Sequence, residues 1–244
     1  MRDIEIIETE LILADIQTLE KKNGRLQKLA KGDKSAKAML EDSKSLLEFL
    51  NKGNNAFLYP GKEKETIKQL LNELRLMTGK KIIYCANVDE ESLSKDNDYI
   101  KAVKEYANLK NADTVKISAK GEEELVSLED EERSEFLASY GVKESGLEKI
   151  IRTGFHSLGL ISYFTAGPKE VKAWTIKKGW KAPQAAGVIH TDFEKGFIRT
   201  EVINYDDYLK YGYEAACKAA GVMKIEGKDY EVRDGDIMHF LFNV

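Results

Sequence analysis

The chain has 244 residues, 42% of them hydrophobic and 33% charged, with a formal net charge of −4. This length suits one large domain or two to three small ones, and the composition is that of a folded globular protein, not a disordered one. The slight acidic excess excludes nucleic-acid binding driven by overall charge, so any such role needs a local basic patch.

Only three prolines occur, so long helices are permitted. The first segment places Ile4, Ile7, Leu11, Ala14 and Thr18 at helical spacing. KGDK at 31–34 reads as a turn with Asp33 as N-cap, and Ala36, Met39, Leu40, Leu46, Leu47 and Leu50 then mark a second helix. Two helices joined by so short a turn predict an antiparallel hairpin. A third helix is predicted over about 62–77, with Ile67, Leu70, Leu71, Leu74 and Met77 on one face.

The texture then changes. KIIYCAN reads as a buried strand with Cys85 as a core thiol, DYIKAVKEYANLKNA as a helix and DTVKISAK as a second strand. One helix is predicted through EEELVSLEDEERSEFLASYG and another through SGLEKIIRTGFHSLGL. Strand–helix–strand–helix order predicts a parallel sheet, and two strands make only half of an α/β domain. The remainder alternates like strands at ISYFTAG, EVKAWTI, IRTEVINY, MKIEGKDYEV and IMHFLFNV, around one helical or irregular stretch. That pattern predicts a small α+β domain with a mixed sheet of β-grasp type.

The chemistry sits where the two parallel strands end, the edge at which open α/β sheets bind ligands. The first strand runs into Asn87-Val88-Asp89-Glu90, an Asn-x-x-Glu, and the second into Ser118-Ala119-Lys120. In GTP-binding folds an Asn-x-x-Asp carboxylate accepts both N1–H and the 2-amino group of guanine, while a turn after the next strand supports the base through a backbone N–H. Glu90 carries one more methylene and cannot take that pose, so the guanine code is broken; adenine offers an acceptor at N1, which a carboxylate repels. Either stretch alone also fits an ordinary polar turn at a strand end. Their order, with one helix between, is the topology a base pocket requires.

Several stretches resemble the YchF family of Obg-related, ribosome-associated ATPases. ELILADIQTLEKK and LQKLAKGDKSAK are similar to its helical insertion, and IIYCANVDE to its altered base loop. SYFTAGPKEVKAWTI, APQAAGVIHTDFEKGFIRTEVI and EGKDYEVRDGDIMHFLFNV are similar to its carboxyl-terminal TGS domain. The resemblance implies three parts: a helical hairpin insertion at 1–75, the second half of a Ras-like P-loop nucleotide domain at 76–158, and a β-grasp TGS domain at 159–244. It also implies binding and hydrolysis of ATP in preference to GTP, with Mg²⁺ in the whole family member, and association with the ribosome. Asn87, Val88 and Glu90 would lie at the adenine, with Ser118 and Ala119 closing its other side.

One departure is large. Family members begin with a P-loop, switch segments and the first strands of the sheet, whereas Gly61-Lys62, Gly79-Lys80 and Gly227-Lys228 all lack the upstream Gly and following Ser/Thr of Gly-x-x-x-x-Gly-Lys-[Ser/Thr]. The chain resembles the last two-thirds of a member, so no catalytic residue or Mg²⁺ ligand is assigned on it and no turnover is expected from it alone. The alternative function is a ribosome- or RNA-contacting scaffold without nucleotide chemistry. The half-sheet is expected to be completed by a missing N-terminal segment or by dimerisation.

Lys21, Lys22, Arg25, Lys28, Lys31, Lys34 and Lys37 crowd one end of the predicted hairpin, opposed only by Asp33. Such runs are commonly solvated helix faces, and here they also form a candidate rRNA-contacting patch. A second basic set, Lys169, Lys172, Lys177, Lys178, Lys181, Lys195 and Arg199, falls near Trp174 and Trp180 and is a candidate RNA-binding surface, since aromatics between basic residues can stack bases, though they equally form the core and rim of a small sheet; Trp174 is expected to be buried and Trp180 exposed. His190 and Asp192 are too few for a metal site, and His190 is expected to hydrogen-bond a loop. No metal is expected. Cys85 and Cys217 form no metal or disulfide pattern, no apolar run suffices for a membrane span and no signal peptide is seen, which together set the expectation of a cytoplasmic protein with no membrane partner.

Overall fold

The computed structural model describes residues 1–167 and 170–243. The chain divides into two compact units, Met1–Ile150 and Ile151–Val244.

The first unit opens with helices α1 (Arg2–Leu29) and α2 (Lys34–Asn51). Asp33 caps α2 as expected, its carboxylate accepting from the Ser35 and Ala36 N–H groups at 2.8 and 3.3 Å. Ile12, Ile16 and Leu19 of α1 cluster with Leu46 and Leu50 of α2, so the start of one helix packs on the end of the other and the pair is antiparallel. Helix α3 (Glu65–Leu74) adds Ile67 and Leu70 to the same core and ends earlier than expected, leaving Met77 exposed.

The buried stripe of α1 differs from the one the sequence suggests. It is Ile12, Ile16, Leu19, Asn23 and Leu26, alternating four and three residues apart, whereas Ile7, Ala14 and Thr18 face solvent. This is the spacing of a two-helix seam, and it places a buried Asn at a core position. Among the described residues, neither polar atom of Asn23, nor the Ser43 hydroxyl of α2, has a protein partner. Two carboxylates also lie on the buried side of α1. Asp15, 3% exposed, accepts from the Met77 and Thr78 N–H groups (2.8 and 2.7 Å) and from the Thr78 hydroxyl (2.7 Å). Thr78 Oγ1 in turn accepts from Ala56 N–H at 3.1 Å. Glu8 accepts from the hydroxyls of Tyr84 and Tyr106, the latter at 2.8 Å, and lies 3.3 Å from the Lys110 ammonium.

Strands β1 (Ile83–Asn87) and β2 (Asp113–Ile117) pair in parallel, with helix α4 (Asp98–Leu109) as the crossover. Among the described residues this sheet has these two strands only, so its faces are incompletely covered. That is why β1 is half-buried, not buried, and why Cys85 is exposed where a core thiol was expected. The helix expected through 122–141 is two, α5 (Ala119–Val126) and α6 (Asp130–Ser139). A new start after Ser127 is encoded by Glu132, which accepts from the Glu129 N–H, and by three acids in the first turn of α6, where the helix dipole favours negative charge. Helix α7 (Gly146–Leu158) begins at Gly146, where a Cβ would stand 2.7–2.9 Å from Ile117 atoms; glycine lets the helix start press on the end of β2.

The second unit is built on a five-stranded mixed sheet of order β4-β3-β7-β5-β6. Its strands are β3 (Leu160–Ala166), β4 (Val171–Lys177), β5 (Phe197–Ile203), β6 (Lys224–Glu226) and β7 (Ile237–Phe242). β3 and β7 run parallel and the other pairs antiparallel. Helices α8 (Ala182–Ile189) and α9 (Thr191–Lys195) follow β4. Three small residues of α8, Ala182, Ala185 and Ala186, pack on Tyr163, Ile176, Val202, Met238 and Phe240, and the buried Tyr163 hydroxyl donates to the Ala185 carbonyl at 2.9 Å. The sequence suggested a single short helix. Two more, α10 (Tyr205–Tyr211) and α11 (Glu214–Ala219), follow β5, and Cys217 of α11 joins Ile203 and Ile237 in a separate buried cluster. β5 ends earlier than IRTEVINY implied because Asn204 caps α10, accepting from Asp206 N–H at 3.0 Å.

Both tryptophans are half-buried, against the expectation for each. Trp174 donates to Thr165 Oγ1 at 2.9 Å and has the Lys172 ammonium 4.1 Å from its ring, while Trp180 packs on the core cluster. His190 Nδ1 accepts from the Asp192 N–H at 3.2 Å and so caps α9, the loop bond expected of it. Lys169 lies outside the described residues.

Candidate functional site

Parallel register places Asn87 beside Ile117, so β1 and β2 end level and their following loops emerge side by side. The Val88 N–H donates to the Ile117 carbonyl at 2.8 Å and carries the ladder one step past β1. Ser118 is buried at the head of α5, where its hydroxyl accepts from the Gly121 N–H at 3.2 Å. Asp89 closes the first loop by accepting from the Ser92 N–H at 2.9 Å, and the Ser92 side chain, then this bond, hold its carboxyl below the usual range.

Two contacts join the loops. Asn87 Oδ1 accepts from the Ala119 N–H at 3.1 Å, across 32 residues of chain. This fixes the amide so that Nδ2, a donor, is the group left for a ligand. Glu90 turns towards α5: its Oε1 is 3.3 Å from the Lys120 ammonium, which also stands 3.8 Å from Glu124. The Glu90 side chain is 17% exposed against 75% for Lys120. Its own backbone N–H, then Lys120, hold the Glu90 carboxyl below the ordinary value.

The structure therefore brings Asn87, Val88, Glu90, Ser118 and Ala119 to one edge, but not into one cavity. A cleft of about 420 Å³ opens beside the first loop, lined by Asn87, Val88, Asp89, Asn97, Tyr99 and Ile100 among others. Ser118 instead lines a smaller cavity of about 150 Å³ with Lys116, Gly121 and Glu122. Sequence reasoning passed over two residues here. Lys120 stood in the Ser-Ala-Lys stretch without a role, and Tyr99, 85% exposed at the cleft, carried no local signal.

Lys21, Arg25 and Lys28 recur at i, i+4 and i+7 and share one exposed face of α1. Lys31 lies in the exposed turn, and Lys34 and Lys37 are exposed on α2. Lys22 stands apart: it is largely covered and paired with Glu73 of α3 at 2.6 Å. Asp33, the one opposing acid, is engaged as the helix cap. In the second unit Arg199 is exposed on β5 at an irregularity in its pairing with β7. Among the described residues no three His, Cys, Asp or Glu side chains gather as metal ligands would, and no helix is long and apolar enough to cross a membrane.

Comparison with known proteins agrees with the resemblance read from the sequence. The family model YchF-GTPase_C, described as "Protein of unknown function (DUF933)", matches residues 160–243. "Ribosome-binding ATPase YchF" of Escherichia coli O157:H7 is 48% identical over 245 residues, covering 99% of this chain and 66% of that protein. The protein of the same name from Buchnera aphidicola subsp. Acyrthosiphon pisum (strain APS) is 40% identical over 245 residues, covering 100% of this chain and 67% of its own length. The chain thus spans about two-thirds of the curated relatives it matches. Among solved structures, the Schizosaccharomyces pombe YchF GTPase superposes with a TM-score of 0.81 at 36% identity, covering 98% of this chain and 65% of that one. With near-complete coverage at this level of identity, the chain belongs to the YchF family.

Proposed function

We propose that this chain supplies the base-binding half of a nucleotide site with a preference for adenine over guanine, joined to surfaces that associate with the ribosome. The observation that carries the reading is the pair of contacts at the strand ends. Guanine asks for a donor to O6 and an acceptor for N1–H and the 2-amino group. The Ala119 N–H that would serve O6 is engaged by Asn87 Oδ1, and the Glu90 carboxylate is drawn to Lys120. A designed hydrogen-bond match that is missing is worth several powers of ten in discrimination. Asn87 Nδ2 remains to donate to a purine N7, and adenine loses nothing by the two engagements.

The names of the relatives, ribosome-binding ATPases, support the same reading. In it, 1–75 is the helical insertion, 76–158 the second half of a P-loop nucleotide domain and 159–244 a β-grasp TGS domain, in a cytoplasmic protein. The sheet order, with β3 and β7 parallel at its centre, suits the β-grasp assignment. The residues present fit the base of ATP. They do not fit its phosphates or Mg²⁺: the sequence has no phosphate-binding loop, and no acidic group gathers for a metal among the described residues. Hydrolysis is therefore a property we assign to the longer family member, with no step of it on these residues. β1, paired among the described residues with β2 alone, is the edge that a further segment or a second copy would complete.

Titration of the purified chain with fluorescently labelled ATP and GTP tests the reading. Weak but measurable ATP binding, tighter than GTP, is the expected result. Preferential GTP binding would refute the base argument. Binding of neither nucleotide would leave the second reading, a ribosome-contacting scaffold, which the exposed basic hairpin end favours.

A further inference from the structure

We propose that Lys120 sets the base preference of this site by latching Glu90 away from the base edge. The proposal rests on the base-binding reading above and adds to it a role for Lys120, to which the sequence reading gave none.

Glu90 Oε1 is closed to solvent yet makes no hydrogen bond of ordinary geometry; besides the backbone N–H of Glu90 itself, the group that holds the carboxylate is the ammonium of Lys120, 3.3 Å from Oε1. The ion pair is lopsided, with an exposed lysine reaching over a covered carboxylate. Lys120 is placed for this by the fold, since it occupies the first turn of α5 directly after the Ser118 cap. The carbon chain of Glu90 lies along the same turn, its Cγ 3.8 Å from where a Cβ on Gly121 would stand. Glu124, a second acid beside this ammonium, is farther off at 3.8 Å and is the weaker competitor.

Without Lys120, the covered carboxylate keeps only its own backbone N–H and loses the ammonium 3.3 Å from Oε1. Leaving it so is costly, and the flexible Glu90 side chain relieves the cost by turning outwards to water. In the proposed pose, with N7 at Asn87 Nδ2, the Watson–Crick edge of a bound purine would come within reach of the freed side chain. There a freed carboxylate meets donors on guanine, which attract it, and a lone pair at N1 of adenine, which repels it. The extra methylene of Glu90 denies it the bidentate pose of aspartate, so the gain for guanine is that of a single charge-assisted contact, about tenfold in relative affinity.

The test measures ATP and GTP affinities for the unaltered chain, Lys120→Met, Lys120→Arg, Glu90→Gln and the double variant Lys120→Met/Glu90→Gln, with the Glu90 carboxyl followed by NMR against pH. Lys120→Met is expected to lower the ATP:GTP affinity ratio about tenfold and to raise the pH at which Glu90 titrates, while Lys120→Arg keeps both near the unaltered values. In the Glu90→Gln background the same lysine substitution is expected to leave the ratio unchanged, because the carboxylate through which it acts is gone. A ratio unmoved by Lys120→Met, or moved equally with and without the Glu90 carboxylate, would overturn the latch while the base-binding reading stands. Binding of neither nucleotide by the unaltered chain would overturn both.

Discussion

Glu8 shows how a single side chain ties the helical hairpin to the sheet. Burial pushes its carboxyl up, but the Tyr84 and Tyr106 hydroxyls and Lys110 outweigh it, so the net value lies below the ordinary 4.5. Burial and Glu8 push both tyrosine hydroxyls up, which keeps them as donors. A carboxyl whose value is lower in the folded state stabilises fully above its unfolded value and loses that contribution as pH falls through the folded one. Glu8→Gln is therefore expected to lose about 1–3 kcal/mol at pH 7, with the gap to the unaltered chain shrinking below about pH 4.5. Urea unfolding at several pH values measures this; a gap constant down to pH 3 would contradict it. Nothing in the sequence marked Glu8, because hydrophobic spacing registers apolar residues and is blind to a buried acid whose partners lie 76 and 98 residues away. The same blindness misphased the α1 stripe, where Asp15 and Asn23 occupy core positions.

At the scale of elements, the hairpin was legible and its energetics were not. A turn with an N-cap between two periodic stretches is local information, and Asp33 behaves as expected. Asn23 at the helix–helix seam is the kind of polar core residue that fixes register at a cost in stability. The basic end sorts by geometry: Lys22 is held by Glu73, whereas Lys21, Arg25 and Lys28 share a face turned from the core. Reversing those three to Glu is expected to weaken binding to ribosomes or rRNA at least about tenfold at low salt. The slope of log affinity against log salt should flatten by roughly one for each phosphate no longer neutralised. An unchanged helical spectrum would show that the fold survives, and an unchanged slope would assign these charges to ordinary solvation. The break between α5 and α6 was missed because both flanks carry helix-forming residues, and only the Glu129–Glu132 cap separates them.

For the whole molecule, the decisive matter is what a nucleotide's two ends require. The base needs a few directed groups at a strand end, and in the proposed reading Asn87 and its neighbours supply them. Phosphoryl transfer is almost entirely positioning and charge stabilisation of phosphates by a loop, a lysine and Mg²⁺. With no phosphate-loop sequence, the 244-residue chain is expected to release phosphate from ATP no faster than a buffer blank, as a coupled phosphate assay would show. Sustained turnover that survives further purification would place a phosphate site among residues with no recognised motif for it.

By itself the sequence determined the helical hairpin, the order of the strands, the two strand ends proposed as base loops, and the family, since periodicity, caps and motif letters are properties of neighbouring residues. Tertiary structure decided which polar groups stay available. The Ala119 N–H is taken by Asn87, Glu90 by Lys120, Lys22 by Glu73, and Cys85 is exposed. The physical reason is that a donor or charge acts on whatever lies within about 3 Å of it, and register and packing, not spacing along the chain, choose that neighbour.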